Sequence, residues 1–201
     1  MGIKEFCRKL GAKTRVAFYK WNSTCEHVEG DYKCTSPVFF AGNGRIILNG
    51  VRLGYYPSPF YFNCYSYIEA RKENAIISIG EGTVVNNNFH CVANEGGITI
   101  GSGCLIGVSV EILNCDFHPL SVEERHMNTA KSKDIYIGDN VFIGNNVKIL
   151  KGVHIGDYAV IANGAVVTKD VAAKTIVAGN PAEVIKNVNE SDSKNKSSQD
   201  S

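Results

Sequence analysis

From Ile137 onward the chain counts in sixes. Ile137, Ile143, Ile149, Ile155, Ile161 and Val167 stand six apart, and four residues after each comes a small or branched apolar residue: Val141, Val147, Val153, Ala159, Ala165 and Val171. An earlier block repeats the rule at Ile100, Ile106 and Ile112, with Cys104 and Val110 in the secondary position. Ile79, Thr83 and Val85 form a further block. Neither a helical period of about 3.6 nor a strand alternation of about 2 generates a strict six. Short strands joined by tight turns do. Each unit then makes one flat face, and three units close a triangular coil of roughly 18 residues whose aliphatic side chains stack on the coils above and below. Gly, which follows the aliphatic residue at Gly80, Gly101, Gly107, Gly138, Gly144 and Gly156, is expected to take the bend in a left-handed backbone conformation. A helical repeat is excluded by the recurring Gly, each costing about 1 kcal/mol in a helix.

Two interruptions matter. Ile79 and Ile100 are 21 apart, which places a bulged corner at Asn94-Glu95-Gly96. Ile112 and Ile137 are 25 apart, which leaves a protruding loop over 115–134. Loops of that length in compact domains usually carry function. Upstream, Gly42 to Gly54 reads as a weaker first coil, and Tyr55 to Glu69, rich in Tyr, Phe and Pro, as an irregular coil or a substrate-facing surface. The expected organisation is an N-terminal segment over 1–40, with a short helix or cap at 3–22, then a β-helix domain over 41–186. A polar tail over 187–201 is expected to be disordered.

Composition adds bounds. The net charge of +1 over 201 residues gives no electrostatic reason to expect nucleic acid or an anionic membrane as partner. No apolar run approaches the length that spans a bilayer, so stable membrane insertion is not expected. The N-terminus does not read as a secretory signal, and Met1-Gly2 lacks the Ser or Thr at residue 6 of a myristoylation site, where Phe6 stands. The seven Cys have no paired spacing and read as small hydrophobes in a reducing cytoplasm. Scattered His residues give no metal-ligand spacing, so no metal is expected; His27, His126 and His154 read as surface residues.

The long loop contains Asn114-Cys115-Asp116-Phe117-His118-Pro119, with Arg125 seven beyond His118. With IGDNVFIG (Ile137 to Gly144) and the ending ANGAVVTKDV…VAGNPAEVIK, this resembles the hexapeptide-repeat acetyltransferases, notably the maltose, galactoside and nodulation-factor O-acetyltransferases and those acting on surface polysaccharides. The resemblance covers roughly 76–186. It implies an all-β, left-handed parallel β-helix, a cytoplasmic homotrimer, and acetyl-CoA as co-substrate.

In that family the residue matching His118 is the general base. A sugar hydroxyl is a poor nucleophile, and a neutral imidazole can take its proton as the oxygen attacks the thioester. The second ring nitrogen is expected to donate to a carbonyl or carboxylate that fixes the tautomer, with Asp116 and Glu123 as candidate partners. An amide near the acceptor matches Asn86 counting from Ile79 and Asn87 counting from Ile100. Asn88, His90, Asp116 and Arg125 are the implied acceptor contacts. Phe142, Asn145, Asn163, Thr168, Lys169 and Lys186 are implied for the CoA arm. Glu183 stands where many relatives carry Arg, so phosphate contacts must come from elsewhere. Cys115 lies three residues before His118, but no motif recommends it as a nucleophile. The expected function is acetyl-CoA-dependent O-acetylation of a sugar hydroxyl on a bacterial surface polysaccharide or its precursor. The alternatives are N-acetylation of a nucleotide-linked amino sugar, acetylation of an antibiotic hydroxyl, and a non-catalytic β-helix scaffold.

Overall fold

The computed structural model describes residues 2–127 and 130–188. The chain opens with helix α1 (Ile3–Asn22). Ala, Leu, Lys and Arg favour it, Glu5 lies in the first turn and Lys20 in the last, each complementing the helix dipole. It stops where Ser23 turns extended and hands its hydroxyl to the Tyr19 carbonyl, at 2.9 Å.

Six coils of three short strands follow. They are β1 (His27–Glu29), β2 (Tyr32–Cys34) and β3 (Val38–Ala41); β4 (Arg45–Leu48), β5 (Val51–Leu53) and β6 (Ser66–Ala70); β7 (Ala75–Ile79), β8 (Val84–Val85) and β9 (His90–Ala93). Then come β10 (Gly96–Ile100), β11 (Leu105–Ile106) and β12 (Glu111–Leu113); β13 (Ile135–Ile137), β14 (Phe142–Ile143) and β15 (Lys148–Ile149); β16 (His154–Ile155), β17 (Val160–Ile161) and β18 (Val166–Val167). A last pair, β19 (Thr175–Ala178) and β20 (Glu183–Asn187), closes the described chain.

Every strand of a coil pairs in parallel with its equivalent in the next coil, which builds three sheets. The first holds β1, β4, β7, β10, β13 and β16; the second β2, β5, β8, β11, β14, β17, β19 and β20; the third β3, β6, β9, β12, β15 and β18. Phe142 pairs with Val160 and Lys148 with Val166, eighteen positions on in each case. This is the three-sheet prism of a left-handed parallel β-helix.

The core is the stack that the period of six describes. Leu53, Val85, Ile106, Ile143, Ile161 and Val177 line one wall, and Ile68, Cys91, Ile112, Ile149 and Val167 another, all buried. Burying side chains of this size stabilises by about 1.5–3 kcal/mol each. The secondary positions are buried too, and Thr83, the polar one among them, donates to the Gly101 carbonyl at 2.8 Å.

Three readings need correction. The β-helix begins at His27, not at 41, because the first coil fills its interior with Tyr32, Cys34, Val38 and Phe40 in place of an Ile-Gly signature. Within Tyr55 to Glu69 the turn-rich segment ends at residue 65, and Ser66–Ala70 is a regular strand of the third sheet. Asn187 belongs to β20; the tail reading beyond 188 lies outside the described residues.

A separate correction concerns the bends. The Gly after each aliphatic residue is absent from the positive-φ positions, which fall two residues later: Gly82, Gly103, Ser109, Asn140, Asn146 and Tyr158. Gly at the earlier position answers a different need. A Cβ on Gly138 would lie 2.2 Å from Asp157 Oδ1 and 2.8 Å from its backbone nitrogen, in the coil above. Close approach of stacked corners excludes a side chain there.

Candidate active site

The loop between β12 and β13 is rooted by paired backbone and amide contacts. Asn114 is fully buried; its Oδ1 accepts from the Asn94 amide and its Nδ2 donates to the Glu95 carbonyl, both at 2.8 Å. These bonds also hold the Asn94-Glu95 corner. The Lys133 amide donates to the Asn114 carbonyl at 2.9 Å, and Cys115 bridges Ser132 in antiparallel fashion. Cys115 is buried and its sulfur accepts the Phe117 amide at 3.2 Å, so it is a structural thiol and not a poised nucleophile.

Beyond that root the chain turns sharply. Phe117 takes a φ of 64°, and its ring lies beneath the Arg71 guanidinium, 4.6 Å from the centroid. Arg71 is in turn held by both oxygens of Glu69, at 2.9 Å each. Asp116 forms an ion pair with Lys151, which follows β15. The turn therefore projects His118 outward from a braced base.

His118 Nδ1 lies 3.2 Å from the Arg125 carbonyl oxygen. A carbonyl can only accept, so a hydrogen bond there places the proton on Nδ1 and leaves Nε2 as a lone-pair base. The expected partners are otherwise engaged: Asp116 holds Lys151, and Glu123 accepts from Ser121 at 2.6 Å. That hydroxyl holds the Glu123 carboxyl below its ordinary range. Of the two kinds of acceptor expected, the one beside Nδ1 is a backbone carbonyl and not the carboxylate of Asp116 or Glu123.

His118 faces an open cleft of about 420 Å³, lined by Asp116, His118, Pro119, Leu120, Arg125 and His126. His126, read as a plain surface residue, belongs to this cleft, and Lys151 was not singled out at all. Neither carries a motif. Lys151 becomes visible only when the six-residue count places β15 beside the loop root. A somewhat larger polar cleft, about 490 Å³ and lined by residues including Glu26, His27, Arg45 and Glu73, lies at the N-terminal mouth of the prism and holds none of the expected site residues.

The two Asn candidates now separate. Asn87 is fully buried; its Oδ1 accepts the Tyr55 amide at 3.1 Å and its Nδ2 donates to the Tyr55 and Pro59 carbonyls at 3.0 and 2.9 Å. It anchors the 54–65 loop, and both its N–H groups are already spent on that loop. Asn86 is half-buried and its Oδ1 accepts the Asn87 amide at 2.8 Å, which leaves its NH₂ for another partner. Asn88, with a φ of 59°, donates to Ser109 at 2.9 Å. His90 sits on the outer face of the third sheet between Tyr67 and Glu111.

The remaining candidates divide between two edges of the prism. Asn86, Asn145 and Asn163 follow β8, β14 and β17, at the edge between the second and third sheets. Asn145 and Asn163 each use Oδ1 to brace a neighbouring corner, on the Val108 and Asn145 amides at 2.8 and 2.7 Å, so each keeps an NH₂ at an exposed position. Phe142 stands on the outer face of the second sheet between Leu105 and Val160, half exposed. Lys186 lies on β20 opposite Ile176. The His118 loop, Lys151, Thr168 and Lys169 instead lie at the edge between the third and first sheets. The structure does not bring Asn86 and His118 together in one chain.

Comparison with known proteins fits this architecture. The family description "Bacterial transferase hexapeptide (six repeats)" matches residues 134–169. The galactoside O-acetyltransferase of Escherichia coli K12 is 37% identical over 120 residues, covering 57% of this chain and 59% of that protein, so the matched region spans about three fifths of the relative. The crystal structure of the polySia-specific acetyltransferase NeuO superposes with a TM-score of 0.64 at 31% identity, covering 80% of this chain and 70% of that one. A galactoside acetyltransferase in complex with coenzyme A superposes with a TM-score of 0.55 at 25% identity, covering 96% and 86%. The six-residue stack, the braced histidine loop and these likenesses together make the chain a member of the hexapeptide-repeat transferase family.

Proposed function

We propose that this protein is an acetyl-CoA-dependent O-acetyltransferase acting on a sugar hydroxyl, of a bacterial surface polysaccharide or its precursor, with His118 as general base. The observation that carries this reading is the His118–Arg125 carbonyl contact, which presents Nε2 as a lone pair to an open cleft. The similarity to a galactoside and a polySia-specific acetyltransferase supports a carbohydrate acceptor.

Bound acetyl-CoA supplies an activated acyl group as a thioester. The chain's own groups do the rest. His118 Nε2 takes the hydroxyl proton as the oxygen bonds to the carbonyl carbon. The Asn86 NH₂ steadies the developing oxyanion or the acceptor. The C–S bond then breaks, and the imidazolium returns the proton to the departing thiolate. Exposed amides at Asn145 and Asn163, the Phe142 ring and the Lys169 and Lys186 ammonium groups suit a long, polar, phosphate-bearing ligand, and fit the CoA arm. Thr168 adds a hydroxyl on the same edge as Lys169.

We further propose that the active form is a homotrimer. His118 and Asn86 lie on different edges of one prism, so a site that uses both needs the third-to-first edge of one copy against the second-to-third edge of another. The test is mass spectrometry of acetyl transfer across a panel of sugars, nucleotide sugars and oligosaccharides. A +acetyl product on a sugar hydroxyl, lost in His118→Ala, is the expected result. Transfer only to amines, or none at all with intact acetyl-CoA, sinks the proposal.

A further inference from the structure

Helix α1 carries its apolar face on the wrong side for a core. At about 100° per residue, Arg8, Ala12, Arg15, Val16 and Tyr19 share one face, and these are its partly buried residues. Arg8 lies over the Tyr56 ring at 3.9 Å, Arg15 donates to the Tyr61 and Cys64 carbonyls at 2.8 and 2.7 Å, and Tyr19 stacks on Tyr65 at 4.7 Å. The helix docks through cations and aromatic rings.

The opposite sector holds Ile3, Phe6, Leu10, Ala17 and Trp21, with Cys7 and Phe18 beside them. Ile3 is 80% and Trp21 88% exposed, and no residue of the helix is buried. Thr14 shares that sector, but its hydroxyl is turned onto the Gly11 carbonyl at 3.0 Å. An apolar stripe of this width on a globular protein normally faces the core. Here it faces away.

Charge says what it faces. Lys9, Lys13 and Lys20 line one flank of the stripe and Lys4 the other. Residues 3–22 carry six Lys or Arg against the single Glu5, so the rest of the chain, with 15 basic and 19 acidic residues, is net negative. The overall charge of +1 conceals this partition and made an anionic surface look an unpromising partner. An apolar stripe with Trp and Phe, flanked by Lys, is the composition of a helix that lies in a lipid interface with its axis in the plane.

We propose that α1 is a peripheral membrane-docking element that binds anionic lipid through Ile3, Phe6, Leu10 and Trp21, with the flanking lysines on the headgroups. It lies on the surface and does not cross: among the described residues no helix is long and apolar enough to span a bilayer. Docking of this kind holds the prism beside acceptors presented at the membrane.

Trp21 is the one Trp of the chain and reports directly. The full-length protein is mixed with vesicles of phosphatidylcholine alone or of equal phosphatidylcholine and phosphatidylglycerol, and Trp emission and co-sedimentation are followed. A blue shift with co-sedimentation on the phosphatidylglycerol vesicles alone is expected. Leu10→Asp should abolish both, with its melting curve as the control for folding. Lys13→Gln with Lys20→Gln should weaken partitioning roughly twenty-five-fold, at about a fivefold loss per charge. Absence of shift and sedimentation overturns the proposal, as does equal binding to neutral vesicles. Emission that turns blue with rising protein concentration and no lipid would assign the face to a second copy and overturn it too.

Discussion

The imidazole of His118 is held by the main-chain oxygen of Arg125, at 3.2 Å, and not by a carboxylate among the described residues. Orientation of the base therefore depends on the loop's backbone path, while the Arg125 guanidinium donates one N–H to the Leu120 carbonyl at 3.4 Å and keeps others for a further partner. His118→Ala should lower kcat/KM for acetyl transfer by about 10²- to 10⁴-fold. Arg125→Ala should act mainly on acceptor KM. Steady-state kinetics separates the two; equal loss of kcat in both would show that the guanidinium, not the carbonyl, sets the base.

Asn86 and Asn87 are neighbours in sequence with different duties. Asn87→Ala removes a fully buried amide that bonds three backbone groups of the 54–65 loop, and stability should fall by about 1–3 kcal/mol, with water relieving part of the loss at this part-buried site. Asn86→Ala should leave the melting temperature near that of the parent and reduce turnover. Thermal melts and kinetics on the pair decide it.

A site divided between two prism edges predicts complementation. His118→Ala and Asn86→Ala should each be impaired, whereas mixtures allowed to exchange subunits should regain activity above either parent, because some hybrid interfaces pair two intact edges. Mixtures that stay as impaired as their parents would place both groups on one chain's site, or remove Asn86 from it.

The corners offer a stability test. Gly138→Ala places a methyl against the coil above and should cost about 1–3 kcal/mol, as overpacking does. Gly164→Ala meets no atom within 4 Å but forces a side chain onto a φ of 72°, for about 1–2 kcal/mol. Asn146→Gly, at a φ of 57°, should be neutral or stabilising. Denaturant titrations read all three.

Thiol reactivity should follow burial. Cys7 is exposed, whereas Cys25, Cys91, Cys104 and Cys115 are buried. Burial pushes the Cys34 thiol up to about 11 and raises Cys91 as well, so the thiolate that reacts is scarce near neutrality. Iodoacetamide on the native protein should modify Cys7 first, with the four buried residues labelled only in denaturant; peptide mapping checks the order.

The stacked core was legible because its period of six is an unusual number that no helix or simple strand shares. Ile143, Ile149 and Ile155 announce their burial by spacing alone. The first coil was not legible, since Tyr32, Cys34 and Phe40 fill the same interior without that spacing. The role of the recurring Gly was misread for a related reason: spacing marks where a small residue is needed, not whether the need is a positive φ or a close neighbour. His118 was visible from its motif. Which residue's carbonyl would face it was not, because a backbone carbonyl has no residue type to recognise, and the contacts of Asn87 with Tyr55 and Pro59 leave no signal in the spacing. The expected helix or cap at 3–22 is a helix over Ile3–Asn22, but which of its faces would be covered depended on rings more than thirty residues away.

The hairpin of β19 and β20 has a consequence for the assembled molecule. A stack of parallel rungs offers at its end the same ledge that each rung offers the next, and nothing in the repeat itself forbids another molecule from continuing the pile. On the second sheet that ledge is taken by β20, which runs the other way and carries Glu183 and Lys186. A reversed, charged last rung breaks the register that growth requires, so this wall terminates and the prism has less tendency to grow into a fibre.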